Sequence, residues 1–99
     1  MSKTVIVRYR TRPDSADENA RLVEAVVAAV TEAGPADFQY AIYRLADGVT
    51  FVHVARHGGD ENPLVELPEF AEFTRELAQR CEEPPAPSEA SLVGSYGHE

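Results

Sequence analysis

Two runs, FQYAIYRL at 38–45 and VTFVHVAR at 49–56, are rich in β-branched and aromatic residues and are separated by Ala46-Asp47-Gly48. An Asp-Gly turn between two such runs is the strongest short-range signal for a β-hairpin. The rest of the chain must therefore pack around that hairpin. Residues 4–11, TVIVRYRT, alternate strictly, with Val5, Val7 and Tyr9 on one side and Ile6, Arg8 and Arg10 on the other. This is the period of a half-buried strand.

Pro13-Asp14 ends that strand, and Ser15 with Glu18 has the spacing of a capping box that opens a helix. The helix is predicted to run to about Ala33, with Leu22, Val23, Val26, Val27 and Val30 on its apolar stripe, and Gly34-Pro35 stops it. A loop, HGGDENP, follows the hairpin. Leu64, Leu67, Phe70, Phe73, Leu77 and Cys81 then step by three or four residues and predict a second helix. Pro68 belongs in its first turn, which leaves 64–67 as a separate short turn. EEPPAP stops the helix, and ASLVGSYG reads as a short last strand.

The order strand, helix, strand, strand, helix, strand predicts an α+β protein, a ferredoxin-like β-α-β-β-α-β sandwich with two helices on one face of a four-stranded antiparallel sheet. The 99 residues read as a single domain, 1–99. So small a domain gains apolar burial by pairing with a second copy. No apolar run approaches the roughly 18 residues of a membrane span, and the stretch before Arg8 is too short for a signal peptide. The expected location is the cytoplasm, with no membrane partner. Cys81 is the only cysteine, so no intrachain disulfide can form.

The net charge is −8, with seven bases against seven acids in residues 1–59 and two against ten in residues 60–99. Phosphate binding needs a basic patch, so nucleic acid is a poor partner. An RNA-recognition module shares this element order, but its aromatic signature in a basic setting is absent.

Assigning the arginines near the strand ends to one sheet face places Ile6, Arg8, Arg10, Phe38, Tyr40, Ile42, Arg44, Val52, Val54 and Arg56 together. The opposite face then carries Val5, Val7, Tyr9, Ala41, Tyr43, Phe51, His53 and Ala55, and a one-residue slip of register would exchange faces. The small Ala41 and Ala55 leave space beside polar rings, the usual form of a small-molecule pocket. His53 is the candidate general base, and Tyr9, Tyr43, Phe51 and, from the second helix, Phe73 are the candidate ligand-contacting residues. The alternative is that His53 is a hydrogen-bonded core residue. The first face, with Ile6, Tyr40, Ile42, Val52 and Val54, is the expected homodimer surface. His53 and His57 are not a metal pair, since four residues along a strand span about 13 Å. No nucleophile elbow, phosphate loop or GxGxxG occurs.

The pattern FQYAIYRLADGVTFVHVARHGG, then NPLVELPEFAEFTREL, then the closing LVGSYG, resembles the antibiotic-biosynthesis-monooxygenase-like group of dimeric α+β barrel proteins, from Thr4 to Gly97. The resemblance implies two subunits packed sheet against sheet, each with a pocket between its helices and its sheet. It also implies chemistry without metal or flavin, because better-known members oxygenate aromatic polyketides or quinols with no cofactor, while others degrade haem. The haem-degrading members use a tryptophan, an asparagine and a second-helix histidine, yet this chain has no tryptophan and no histidine in 64–81. The oxygenases use tryptophan with tyrosine, asparagine and arginine, for which only Tyr9, Tyr43, His53 and Arg44 or Arg56 are general counterparts. Three functions stay open: a cofactor-independent monooxygenase of a small phenol or quinol, a non-catalytic binding or accessory protein with the same pocket, and an interaction protein using its acidic second helix.

Overall fold

A computed structural model of the chain describes residues 3–59 and 62–97. The strands are β1 (Lys3–Thr11), β2 (Phe38–Arg44), β3 (Thr50–His57) and β4 (Cys81–Ala90), and the helices are α1 (Ala16–Ala33), α2 (Pro68–Arg75) and α3 (Leu77–Arg80). The sheet order is β2-β3-β1-β4, and every pairing is antiparallel. This is the ferredoxin-like order, with the helices gathered on one face. No helix among the described residues is long and apolar enough to cross a membrane.

Gly34 ends α1 in the left-handed region (φ 57°) and donates its N–H to the Val30 carbonyl, the conformation that a residue without Cβ adopts at least cost. The expected capping box does not form. Pro13–Ser15 make a 3-10 turn that runs straight into α1, so Ser15 lacks the extended geometry from which a side chain can cap, and it makes no such bond. Asn62 does cap, accepting from the Leu64 N–H at 2.9 Å at the start of the turn Pro63–Glu66.

The register of the hairpin corrects the predicted faces. Leu45 N–H donates to the Thr50 carbonyl and Arg44 pairs with Phe51, so the connection takes four residues, 46–49, rather than three. Asp47 holds Val49 inside the turn by accepting from both the Val49 and the Thr50 N–H groups. The extra residue turns β2 over. Tyr40, opposite Ala55, and Ile42, opposite His53, join the helix-covered face, while Ala41 and Tyr43 go to the open one.

Two further expectations are corrected. The last strand is Cys81–Ala90, not the segment 90–97, and it pairs antiparallel with β1 from Thr11 opposite Cys81 to Thr4 opposite Ala90. Residues 91–97 are exposed and irregular. The stretch expected to be only a helix stop is the strand itself, with Pro84, Pro85 and Pro87 in it, which an edge strand tolerates. The second helix is also not continuous. It breaks at Glu76 (φ −124°, ψ 23°), and the Arg80 guanidinium donates to the Phe73 carbonyl beside the break at 2.7 Å.

The core joins Val23 and Val26 of α1, Phe73 of α2 and Leu77 of α3 to Tyr9 and Phe51 of the sheet, with Leu64 closing one end. The Tyr9 ring stacks on Phe51 with centroids 5.6 Å apart.

Candidate functional site

Five polar side chains lie buried or half-buried in a row through this core. Arg80 Nε donates to Asn19 Oδ1 at 3.2 Å, and Asn19 Nδ2 donates to the Tyr9 hydroxyl at 2.8 Å. The Tyr9 hydroxyl is also 2.8 Å from His53 Nε2, and the Tyr40 hydroxyl is 2.8 Å from His53 Nδ1. Each member is set by a different element: α3, α1, β1, β3 and β2. Asn19 is fully buried, and His53 and Arg80 are nearly so. Arg80 lies over the Phe73 ring at 5.5 Å and makes no ion pair among the described residues.

Burial decides the charge states. It disfavours the imidazolium and pulls His53 down to about 4, so the ring is neutral near pH 7. Burial also pushes the Tyr9 and Tyr40 hydroxyls well above the usual phenol value, with the Asn19 hydrogen bond opposing it at Tyr9. The row is thus neutral except for its guanidinium end.

An apolar cavity of about 270 Å³ opens beside the row, lined by Tyr9, Tyr40 and His53 together with Val7, Phe73 and Leu77, and by Asn62 and Pro85. A broader depression bordered by Arg10, Arg12, Asp14, Cys81 and Glu82 is open to solvent. Its Arg10 is engaged by Glu82 and Glu83. Burial pushes the half-buried Cys81 thiol up, which favours its protonated form.

The nominated residues separate cleanly in space. Tyr9, His53 and Phe73 come together at the cavity wall. Phe51 supports Tyr9 from beneath without lining the cavity. Tyr43 is on the opposite face and 57% exposed, and Tyr40 occupies the helix-side place expected for it. His57 is buried separately, its Nδ1 2.9 Å from the Gly59 carbonyl.

Sequence reasoning missed Asn19, Arg80 and Tyr40. The signal for the first two was available: Asn19 falls on the Val23, Val26, Val30 stripe, and Arg80 follows Phe73 and Leu77 at helical spacing. A polar residue on an apolar stripe is buried, and buried polar groups need partners.

No family model matches the chain, and no curated protein does. Solved structures do. Rv0793 from Mycobacterium tuberculosis superposes with a TM-score of 0.77 at 20% identity, covering 96% of this chain and 98% of its own. A structure from Nitrosomonas europaea assigned to the antibiotic biosynthesis monooxygenases gives 0.79 at 14% identity, covering 97% and 94%. The chain has the antibiotic biosynthesis monooxygenase fold. SnoaB from Streptomyces nogalater, a cofactor-independent oxygenase solved as a mutant, also superposes, with a TM-score of 0.71 at 13% identity over 98% of both chains. At these identities the likeness is one of fold.

Proposed function

We propose that this protein binds a small aromatic molecule in the cavity beside His53, and that the reaction the site supports best is cofactor-independent oxygenation of a phenol or quinol. The observation that carries the reading is an apolar cavity whose polar groups converge at one place, the hydroxyls of Tyr9 and Tyr40 on the two nitrogens of His53. Its volume of about 270 Å³ is near the small end of ligand pockets, which begin at about 300 Å³, and suits one or two rings. The superposition with an oxygenase that needs no cofactor supports the reaction class.

Such a reaction balances without a further reductant. The electron-rich ring reduces dioxygen, one oxygen atom enters the ring as a carbonyl, and the other leaves as water with two hydrogens from the substrate. His53 is the proposed organiser of protons at the site. To act as a general base it needs a ligand hydroxyl to displace one tyrosine from its ring. The subunit is proposed to pair with a second copy through the open sheet face, where Ile6, Val52 and Val54 are half-buried and Tyr43 is exposed.

A second reading is favoured by one observation: both His53 nitrogens are engaged by tyrosine hydroxyls, a state suited to binding without turnover. Thermal-shift screening with phenols, quinols and quinones, followed by oxygen-uptake measurement on each binder, tests both. A ligand at a hundred times its Kd adds about 2.7 kcal/mol of stability. Binding with oxygen uptake supports the oxygenase, binding without uptake the binding protein, and no binder removes both.

A further inference from the structure

We propose that Tyr40 is the hydrogen-bond donor at the His53 end of the cavity and that the ligand presents an accepting oxygen to it, a conjugated carbonyl or a phenolate. This rests on the reading of the cavity as an aromatic binding site. Along the buried row from its guanidinium end, each partner leaves the next only one role.

A guanidinium only donates, so Arg80 Nε at 3.2 Å fixes the carboxamide of Asn19 with its oxygen toward Arg80 and its NH₂ toward Tyr9. An amide NH₂ also only donates. The Tyr9 oxygen therefore accepts from Asn19, and the hydrogen of Tyr9 needs an acceptor elsewhere. His53 Nε2, at 2.8 Å, is that acceptor. The reverse polarity would leave a hydroxyl hydrogen without a partner in a residue only 2% exposed, an arrangement folded proteins avoid.

A neutral imidazole carries one N–H, and with Nε2 accepting, that hydrogen is on Nδ1. Nδ1–H donates to the Tyr40 oxygen at 2.8 Å. The hydrogen of Tyr40 is then used by no group among the described residues, and Tyr40 lines the cavity. The row is a one-way chain of donors that starts at a buried cation with no ion-pair partner among the described residues and ends at the cavity. Each bond polarises the next in the same sense, which makes the last hydroxyl a stronger donor.

Acetophenone, which can only accept, phenol, and ethylbenzene, which does neither, are the probes. Binding is measured by calorimetry and the carbonyl stretch of bound acetophenone by infrared difference spectroscopy. The wild-type protein is expected to bind acetophenone about tenfold more tightly than ethylbenzene, with a lowered carbonyl stretch. Tyr40→Phe should abolish both the preference and the shift. Asn19→Asp should reverse the chain: the carboxylate takes the Tyr9 hydrogen, His53 Nε2–H donates to Tyr9, Nδ1 takes the Tyr40 hydrogen, and preference passes from acetophenone to phenol. Wild-type binding without preference, or a preference and stretch that survive Tyr40→Phe, overturns the assignment while leaving the cavity reading intact. Failure of all three probes to bind overturns the cavity reading and the assignment together.

Discussion

Arg80 and Asn19, 61 positions apart in the chain, are joined in the interior by a hydrogen bond from Nε to Oδ1. The bond ties α3 to α1 and satisfies the Nε of a buried guanidinium whose other hydrogen bond goes to the Phe73 carbonyl. Asn19→Leu keeps the volume but strands the guanidinium nitrogen and removes the donor to Tyr9. It is expected to cost about 2 to 3 kcal/mol in urea denaturation, the range for leaving buried partners unpaired. Asn19→Asp keeps an acceptor and brings a counter-charge, so it should cost less than Asn19→Leu.

Phe73 and Glu72 are neighbours with opposite surroundings. Phe73 is 3% exposed and touches the rings of Tyr9, His53 and Phe70. Phe73→Ala should cost about 3 to 5 kcal/mol. Glu72 only meets Arg75 on the surface at 3.0 Å, so Glu72→Ala should change stability by less than about 0.5 kcal/mol. Chemical denaturation of both variants checks the phase of α2, and equal effects would contradict it.

His53 makes stability depend on pH. Its folded value of about 4 lies below the ordinary 6.5. Between these limits the unfolded chain binds a proton that the folded one refuses. The stabilisation is full above about pH 6.5 and is lost as pH falls toward 4, by on the order of 3 kcal/mol. Carboxylates also titrate at the lower end, so the measurement is the difference between wild type and His53→Gln in denaturation at about pH 7 and about pH 4.5. The variant should lose the steeper slope, and identical slopes would show that the imidazole titrates normally.

The open sheet face is expected to hold the proposed homodimer. Val54→Asp puts a charge among its apolar residues and should shift sedimentation toward the monomer without changing the helix-covered core. Rim ion pairs are worth about 0 to 1 kcal/mol each, so high salt should weaken the wild-type dimer only modestly. A monodisperse wild-type monomer at micromolar concentration would remove the dimer.

The sequence made the fold legible because its signals are local: alternation in 4–11, a valine stripe ended by Gly34-Pro35, and an Asp-Gly turn. The turn is legible in the sequence but its length is not. Asp47 captures two consecutive N–H groups, and that side-chain geometry sets which faces Tyr40 and Tyr43 take. Likewise, β4 is an edge strand paired only with β1, a tertiary fact that lets it hold prolines and that its proline content hides in the sequence. His53 and Tyr9 come together because both lie on helix-facing positions of adjacent strands, a placement that alternation alone predicts. Asn19 and Arg80 betray their burial only through their phase, which sets them on the apolar stripes of their helices.

The prolines of β4 bear on how molecules of this protein can meet. Three of the ten residues in that border strand carry no N–H, so the strand is a poor template for another strand laid alongside it. Growth of the sheet in the hydrogen-bonding direction is thereby discouraged at that border, whatever the concentration. Association across the flat of the sheet is unaffected by this, because it uses side chains. A crowded solution of the protein is thereby steered away from ribbons built through that border.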